Sequence, residues 1–274
     1  MHPHIQTLRA MQFVKVMENG RTKPWVVHCG TLKNGDAGEY VVDAGEYVVK
    51  AKGMPEITDK TLLFEVTGNL LARRLGINTP EPDLVEITDP FLASVRSSSS
   101  FQATTAGIGV GCEYLTAGFN TSPKFGDLDE CLLKQAASIY TFDMLVQNDD
   151  RRRVPPGNIN YGVHNEKLVA FDFELCFGFC VAVGAKLLPG KMPPGYEKHV
   201  FHSILRQHIL TRMFLLDDIF SKLNSLTDED LAQILQLGEI FVGSTIYCDR
   251  IKEHILNLCD HLEEFREGLM ESLR

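Results

Sequence analysis

One stretch constrains this chain more than any other: a loop crowded with charge, held between two regular patterns. Residues 128–146 have the apolar spacing of a long amphipathic helix and lead into QNDDRRRVPPGN. Two short strand-like runs follow, NINYGV and KLVAFDF, with a turn read at His164-Asn165. A helix and a hairpin hold such a loop at both ends, so its acids and amides can be presented in fixed positions. Before it the chain reads as strands and one helix; after it, almost entirely as helices.

MQFVKV (11–16) and PWVVHC (24–29) flank MENGRTK, where Asn19-Gly20 is a hairpin signal. Residues 37–50 repeat themselves, AGEYVVD then AGEYVVK, both copies strand-like; such a duplication lengthens a loop or hairpin. Residues 59–75 have helical period, with Leu62, Val66 and Leu70 beside Leu63, Leu71 and Leu75. Asp59 is read as the N-cap and Gly76 as the stop. PEPDLVEI and GIGVGCEYL read as strands, with the Ser/Thr-rich stretch 94–106 as a loop between them. A boundary is expected after residue 115, giving lobes 1–115 and 116–274. Further on, Thr227 caps a helix with acids in its first turn. Ile251, Ile255, Leu258, Leu262, Phe265 and Leu269 form a seam that packs onto the same domain or pairs two chains.

The 274 residues can bury a sizeable core. A net charge of -9 disfavours nucleic acid and polybasic membrane contact. Seven scattered cysteines without a CxxC pair are read as free thiols rather than a disulfide framework or zinc site. The N-terminus lacks a signal pattern and no apolar run nears the roughly 20 residues of a membrane helix, so the cytoplasm is the expected location.

Within 148–174 the inventory suits phosphoryl transfer. One carboxylate can orient an attacking hydroxyl and take its proton; an amide oxygen and a second carboxylate can hold metal ions. The candidates are Asp150, with Asp149 as a rival, then Asn158, with Asn160 as a rival, and Asp172. Upstream, Lys50 ends the strand EYVVK, and Glu65, fifteen residues on, lies within the apolar helical stripe. A carboxylate on a buried helix face wants a cation, and Lys50 is the obvious one. The first repeat copy has Asp43 at the matching place, so only the second can serve.

NGRTKPWVV, GEYVVKAKG, FEVTGNLLARRLGINTPEPDLVEI, VGCEYL, FDMLVQNDDRR, GNINYGV and LVAFDFE together resemble the HipA-like kinases, in the short branch lacking the extra N-terminal region. Phosphoinositide kinases share the logic more distantly. The resemblance covers roughly residues 10–180 and implies an α+β, two-lobed protein-kinase-like fold, with an antiparallel-sheet N-lobe carrying one helix and a mainly helical C-lobe. It implies a cytoplasmic transferase that binds ATP and Mg²⁺ and moves the γ-phosphoryl group to a hydroxyl, on protein Ser/Thr or on itself. By the same resemblance Asp150 is the catalytic aspartate, and Asn158 and Asp172 are the metal ligands. Lys50, paired with Glu65, grips phosphate. Gly20, Arg21 and Thr22 form the phosphate-covering loop, and Glu113, Tyr114 and Leu115 the adenine hinge.

Departures from the family pattern are the eight-residue step from Asp150 to Asn158, the absence of glycine after Asp172-Phe173, and a phosphate loop with a single glycine. The alternatives are a catalytically weak nucleotide-binding module of toxin–antitoxin-like type and a small-molecule kinase. His2 and His4 are read as an unstructured terminus. His199, His202 and His208 are read as surface or packing residues on a helix, and the Ser97–Ser100 run as a linker or an autophosphorylation target.

Overall fold

The computed structural model describes residues 5–18, 21–35, 38–96, 104–115, 129–152, 160–181, 188–209 and 211–274. Asn19, Gly20, Ser97–Ser100, Asn158, His2 and His4 lie outside them.

Five strands close into a barrel in the order β1-β2-β3-β5-β4: β1 (Thr7–Val16), β2 (Trp25–Gly35), β3 (Gly38–Lys50), β4 (Pro82–Ile87) and β5 (Gly107–Glu113). The expected sheet was antiparallel throughout. Closure comes instead from a parallel pairing of β1 with β4, Thr7 opposite Leu84. Register shifts in β1 and at Cys29/Gly30 add bend and twist, which closing so few strands requires. Trp25 is fully buried, with Phe13 edge-on at 5.9 Å and Phe91 at 6.3 Å.

Both repeat copies form one strand, β3. The second copy pairs with β2 and with β5, whereas the first runs on along β2 alone, Val42 opposite Thr31. The duplication therefore lengthens a hairpin, as read. Tyr40, Val41 and Val42 on this extension are exposed.

Helix α1 (Asp59–Arg74) is buried on nearly every side, from Leu62 through Ala72. Its N-cap is Thr58, one residue before the expected Asp59, because the Thr58 and Thr61 side chains each bond the other's backbone N–H. Gly76, at φ 73°, follows the C-cap Leu75 and ends the helix as expected. A second helix, α2 (Asp89–Arg96), occupies the start of the stretch read as a loop.

The later half centres on α3 (Glu130–Val146), capped by the Asp129 carboxylate, which accepts from Leu132 N at 2.8 Å. Then come the hairpin β6 (Tyr161–His164) and β7 (Lys167–Ala170), and α4 (His202–His208), α5 (Asp217–Asn224), α6 (Asp228–Gly238), α7 (Ile246–Asp260) and α8 (Leu262–Ser272). The hairpin turn is Asn165-Glu166, both at positive φ as a two-residue I′ turn needs, one residue later than read. Thr227 caps α6 as expected. Asp230, three residues on, also takes a bidentate contact from Arg74 at 2.8 Å, fastening α1 to α6.

The C-terminal seam breaks at His261 into α7 and α8. Ile251, Ile255, Leu258, Phe265 and Leu269 are fully buried within this chain and Leu262 is partly buried, so the seam packs inward. Among the described residues no helix is long and apolar enough to cross a membrane. All seven cysteines are free.

Candidate active site

Two stretches far apart in sequence meet at Lys50. Its Nζ bonds the Glu65 carboxylate at 2.9 Å, reaches Glu174 at 2.7 Å and contacts Asp172. Strand alternation brings Lys50 inside at the end of β3, while Lys52, past the strand's end, turns outward to Asp59. The predicted Lys50–Glu65 pair is thus present and buried. The same Glu65 oxygen also accepts from Phe173 N at 2.8 Å, fixing the turn that carries Asp172.

Gly68 makes this approach possible. A Cβ there would lie 2.7 Å from Phe173 Cβ, closer than carbon atoms tolerate, so a bare backbone is what lets the 172–174 turn pack against α1. Asp172 was expected at a strand end; β7 stops at Ala170, and Asp172 adopts φ 67° in the turn beyond. Six of the eight described non-glycine residues at positive φ fall between 147 and 177, a concentration of backbone strain around this site.

Three carboxylates around one ammonium leave a negative excess in a buried place. Burial and the neighbouring Asp172 and Glu65 carboxylates push Glu174 up to about 8, against the pull of Lys50. Lys50 is desolvated, but the three carboxylates outweigh that and hold it charged, well above its ordinary value. Oxygens of Glu65, Asp172 and Glu174 lie within 4.8 Å of one another. Such an all-carboxylate oxygen set is the donor type magnesium accepts, so the residues fit the metal that the sequence led us to expect. Glu174 went unnoticed in the sequence; its place two residues after Asp172, in the same turn, was the available signal.

The loop after α3 forms a second cluster. Asp150 is buried and its carboxylate accepts from the Asn160 amide at 2.7 Å; Asn148 Oδ1 accepts from Asp150 N at 3.1 Å. Asp149 instead lies at the surface against Arg152. Beneath the loop, Asp143 of α3 is fully buried and accepts from Arg151 Nε at 2.6 Å and from Asn148 Nδ2 at 3.0 Å, with His199 Nε2 at 2.8 Å. Arg151 also donates to the carbonyls of Asn160 and, at 3.3 Å, Phe171. One guanidinium therefore ties together α3, the start of β6 and the turn leading to Asp172.

Burial opposes the charge on Asp143, but Arg151 and His199 outweigh it and keep the carboxyl below its usual range. Burial likewise pushes the His199 ring below the usual imidazole value, against the pull of Asp143. His199 precedes α4 and is not on a helix with His202, though both are buried packing residues. Neither Asp143 nor Arg151 was singled out from sequence, and His199 was read only as a surface or packing residue. An acid inside the apolar run TFDMLV carried the same signal as Glu65, with Arg151 eight residues on.

The remaining expected residues are more scattered. Arg21 and Thr22 lie on the β1–β2 connection; Arg21 pairs with Glu56 at 3.6 Å near the surface, and Thr22 is buried. No hydrogen bond or ion pair among the described residues joins either to Lys50. Glu113 ends β5 opposite Tyr47. Tyr114 N donates to Glu46 O at 2.8 Å and its hydroxyl meets Lys15 Nζ at 2.9 Å, so this amide is committed to the barrel. Leu115 closes the described stretch.

The family model for HipA-like kinases matches residues 10–229. This chain belongs to that family. The match takes in the barrel strands from Ala10 onward, both charged clusters and the helices through the start of α6, and membership makes a phosphotransferase the supported class. No curated protein matches the sequence. Among solved structures, the crystal structure of a Helicobacter pylori proinflammatory kinase, CtkA, aligns over 96% of this chain and 97% of that one, at 11% identity and a TM-score of 0.44.

Proposed function

We propose that this HipA-like kinase uses ATP and Mg²⁺ to phosphorylate a hydroxyl, on a protein Ser or Thr or on itself, between lobes 1–115 and 116–274. The observation that carries the reading is the convergence of Lys50, Glu65 and Asp172 from three separate parts of the chain, in a cluster with more carboxylates than cations. Glu65 holds Lys50 in place for the α/β-phosphates. Asp172 is the metal ligand, with Glu174 at its side and Asn158 contributing its amide from outside the described residues. The metal supplies charge neutralisation on the phosphate oxygens.

Asp150 receives the acceptor's proton. Its hydrogen bond from Asn160 fixes the carboxylate's orientation, and the Asp143–Arg151 pair holds the loop from below. Phosphoryl transfer asks little covalent chemistry of a protein and much positioning, which is what a rigidly bonded loop provides. Backbone groups of 20–22 cover the phosphates, and 113–115 meet the adenine.

The test is thermal unfolding with and without ATP·Mg²⁺ on wild type and Asp172→Asn, beside a labelled-ATP transfer assay that includes Asp150→Ala. A ligand that binds only the native state raises the melting temperature by mass action. The expected result is a magnesium-dependent rise lost in Asp172→Asn. Transfer should fall by about 10²–10⁴-fold in folded Asp150→Ala, the usual worth of a general base. A shift without label would leave a nucleotide-binding module; no shift at millimolar ATP would remove the reading.

A further inference from the structure

Lys50 is fully surrounded before any phosphate arrives. An ammonium has three N–H donors, and three carboxyl groups crowd around this one: Glu65 at 2.9 Å, Glu174 at 2.7 Å, and Asp172 in contact. Their oxygens lie within 4.8 Å of one another, and the lysine side chain is only 9% exposed. For Lys50 to grip a phosphate oxygen, one of the three must give way.

The three are not held equally. Glu65 is fixed twice, because the oxygen that accepts from Lys50 also accepts from Phe173 N, and its helix is buried. Asp172 is hydrogen-bonded to Nζ from a turn that the same Phe173 contact fixes. Glu174 alone touches Nζ without the alignment of a hydrogen bond. Its Oε2 is buried and makes no hydrogen bond among the described residues. A buried acceptor in that condition gains by moving to a better partner, so Glu174 is the one to yield. A glycine after Asp172-Phe173 would place no such group beside the lysine.

We infer that Glu174 is a positioning residue that makes the grip of Lys50 on phosphate depend on the metal. Without metal, its Oε2 stands at Nζ in the place of a phosphate oxygen. With ATP·Mg²⁺ that oxygen turns to the metal beside Asp172 and leaves an N–H of Lys50 free for the nucleotide. Phosphate oxygens are strong acceptors for an ammonium, so the exchange favours the bound state. The inference rests on the nucleotide reading, which supplies the phosphate.

Calorimetric titration of ATP into the full chain, once with excess EDTA and once with magnesium, tests this. Glu174→Ala should tighten the binding of metal-free ATP about tenfold, the worth of one charge-assisted hydrogen bond from Lys50. The advantage that magnesium confers should narrow in the same variant. Glu174→Gln returns an oxygen to Lys50 and should lose most of the metal-free gain. A residue with a merely structural role would weaken binding in both variants and in both media. Should Glu174→Ala fail to fold, Glu174→Met, of similar bulk and without oxygens, carries the test. If wild type binds ATP·Mg²⁺ but metal-free affinity is no higher in Glu174→Ala, or rises equally in Glu174→Gln, the inference falls and the nucleotide reading stands. A wild type that binds neither form removes that reading and this inference with it.

Discussion

Phe173 lies between two buried ion clusters that are balanced in opposite ways. Its backbone N–H bonds Glu65 on one side, and the Arg151 guanidinium stands 5.6 Å from its ring on the other. Around Lys50, three carboxylates share one cation, and Glu174 is driven up to about 8. Around Asp143, one carboxylate faces a guanidinium and a neutral imidazole and is held below its usual range. A buried cluster whose charges cancel holds the fold together. One that does not cancel waits for a counter-charge, and a divalent cation with its nucleotide is the counter-charge proposed.

The contrast is sharpest when the same carboxylate-to-amide change is made in both clusters. Asp143→Asn leaves Arg151 buried without its anion, and breaking such a pair costs about 3–5 kcal/mol. Urea denaturation should show a loss of that size. Glu174→Gln replaces a carboxyl that already keeps its proton at neutral pH, so metal-free stability should move by less than about 1 kcal/mol, within reach of ordinary single substitutions. Stabilisation by magnesium with ATP should nonetheless shrink in Glu174→Gln. Comparable losses from the two changes would break the comparison.

Gly68→Ala probes the joint between the clusters. Helix propensity alone favours alanine by about 1 kcal/mol. The added Cβ would stand 2.7 Å from Phe173 Cβ, and overpacking of that kind costs about 1–3 kcal/mol. The expected outcome in chemical denaturation is a net loss of up to about 2 kcal/mol. The thermal response to ATP·Mg²⁺ should weaken with it, because the displaced turn carries Asp172. A stabilised variant with an unchanged response would mean the turn has room to spare.

What could be read from sequence follows the range of the forces involved. Lys50 and Glu65 were legible because each lies at a local irregularity, a charge ending an apolar strand and a charge inside an apolar helical stripe. Asp143 carried the same irregularity, but its partners Arg151 and His199 lie in a loop and a short turn with no period to expose them. The strands were legible from alternation, yet barrel closure was not, because the β1–β4 pairing joins residues 77 apart and leaves no local trace. Helix α2 was hidden by the serine run that follows it. The seam over 246–273 was correct in its apolar positions and silent about the break at His261, where one helix becomes two. Gly68 had no signal of its own within the helix, since only Phe173, 105 positions on, gives it a purpose.

The smallest expected effect tests the balanced cluster through pH. His199 is fully buried against Asp143, Arg151, the Tyr140 ring at 5.0 Å and His202, and burial holds its folded value below the 6.5 expected of a free imidazole. Below about 6.5 the unfolded chain therefore takes up a proton that the folded chain refuses. With more protons on the unfolded state, stability falls as the pH drops, until the folded value is reached. Asp143 adds its own loss only further down, where a carboxylate begins to protonate, so the two windows are separable. His199→Gln keeps a donor for Asp143 and has nothing to titrate. Glu174, which holds its proton up to about 8, contributes the opposite slope over this interval in both proteins, so the difference between the two stability curves is the readout. Between pH 6.5 and 5 wild type should lose stability relative to His199→Gln by about 1.4 kcal/mol for each unit by which the ring is depressed, and parallel curves would place the charge balance of this cluster elsewhere.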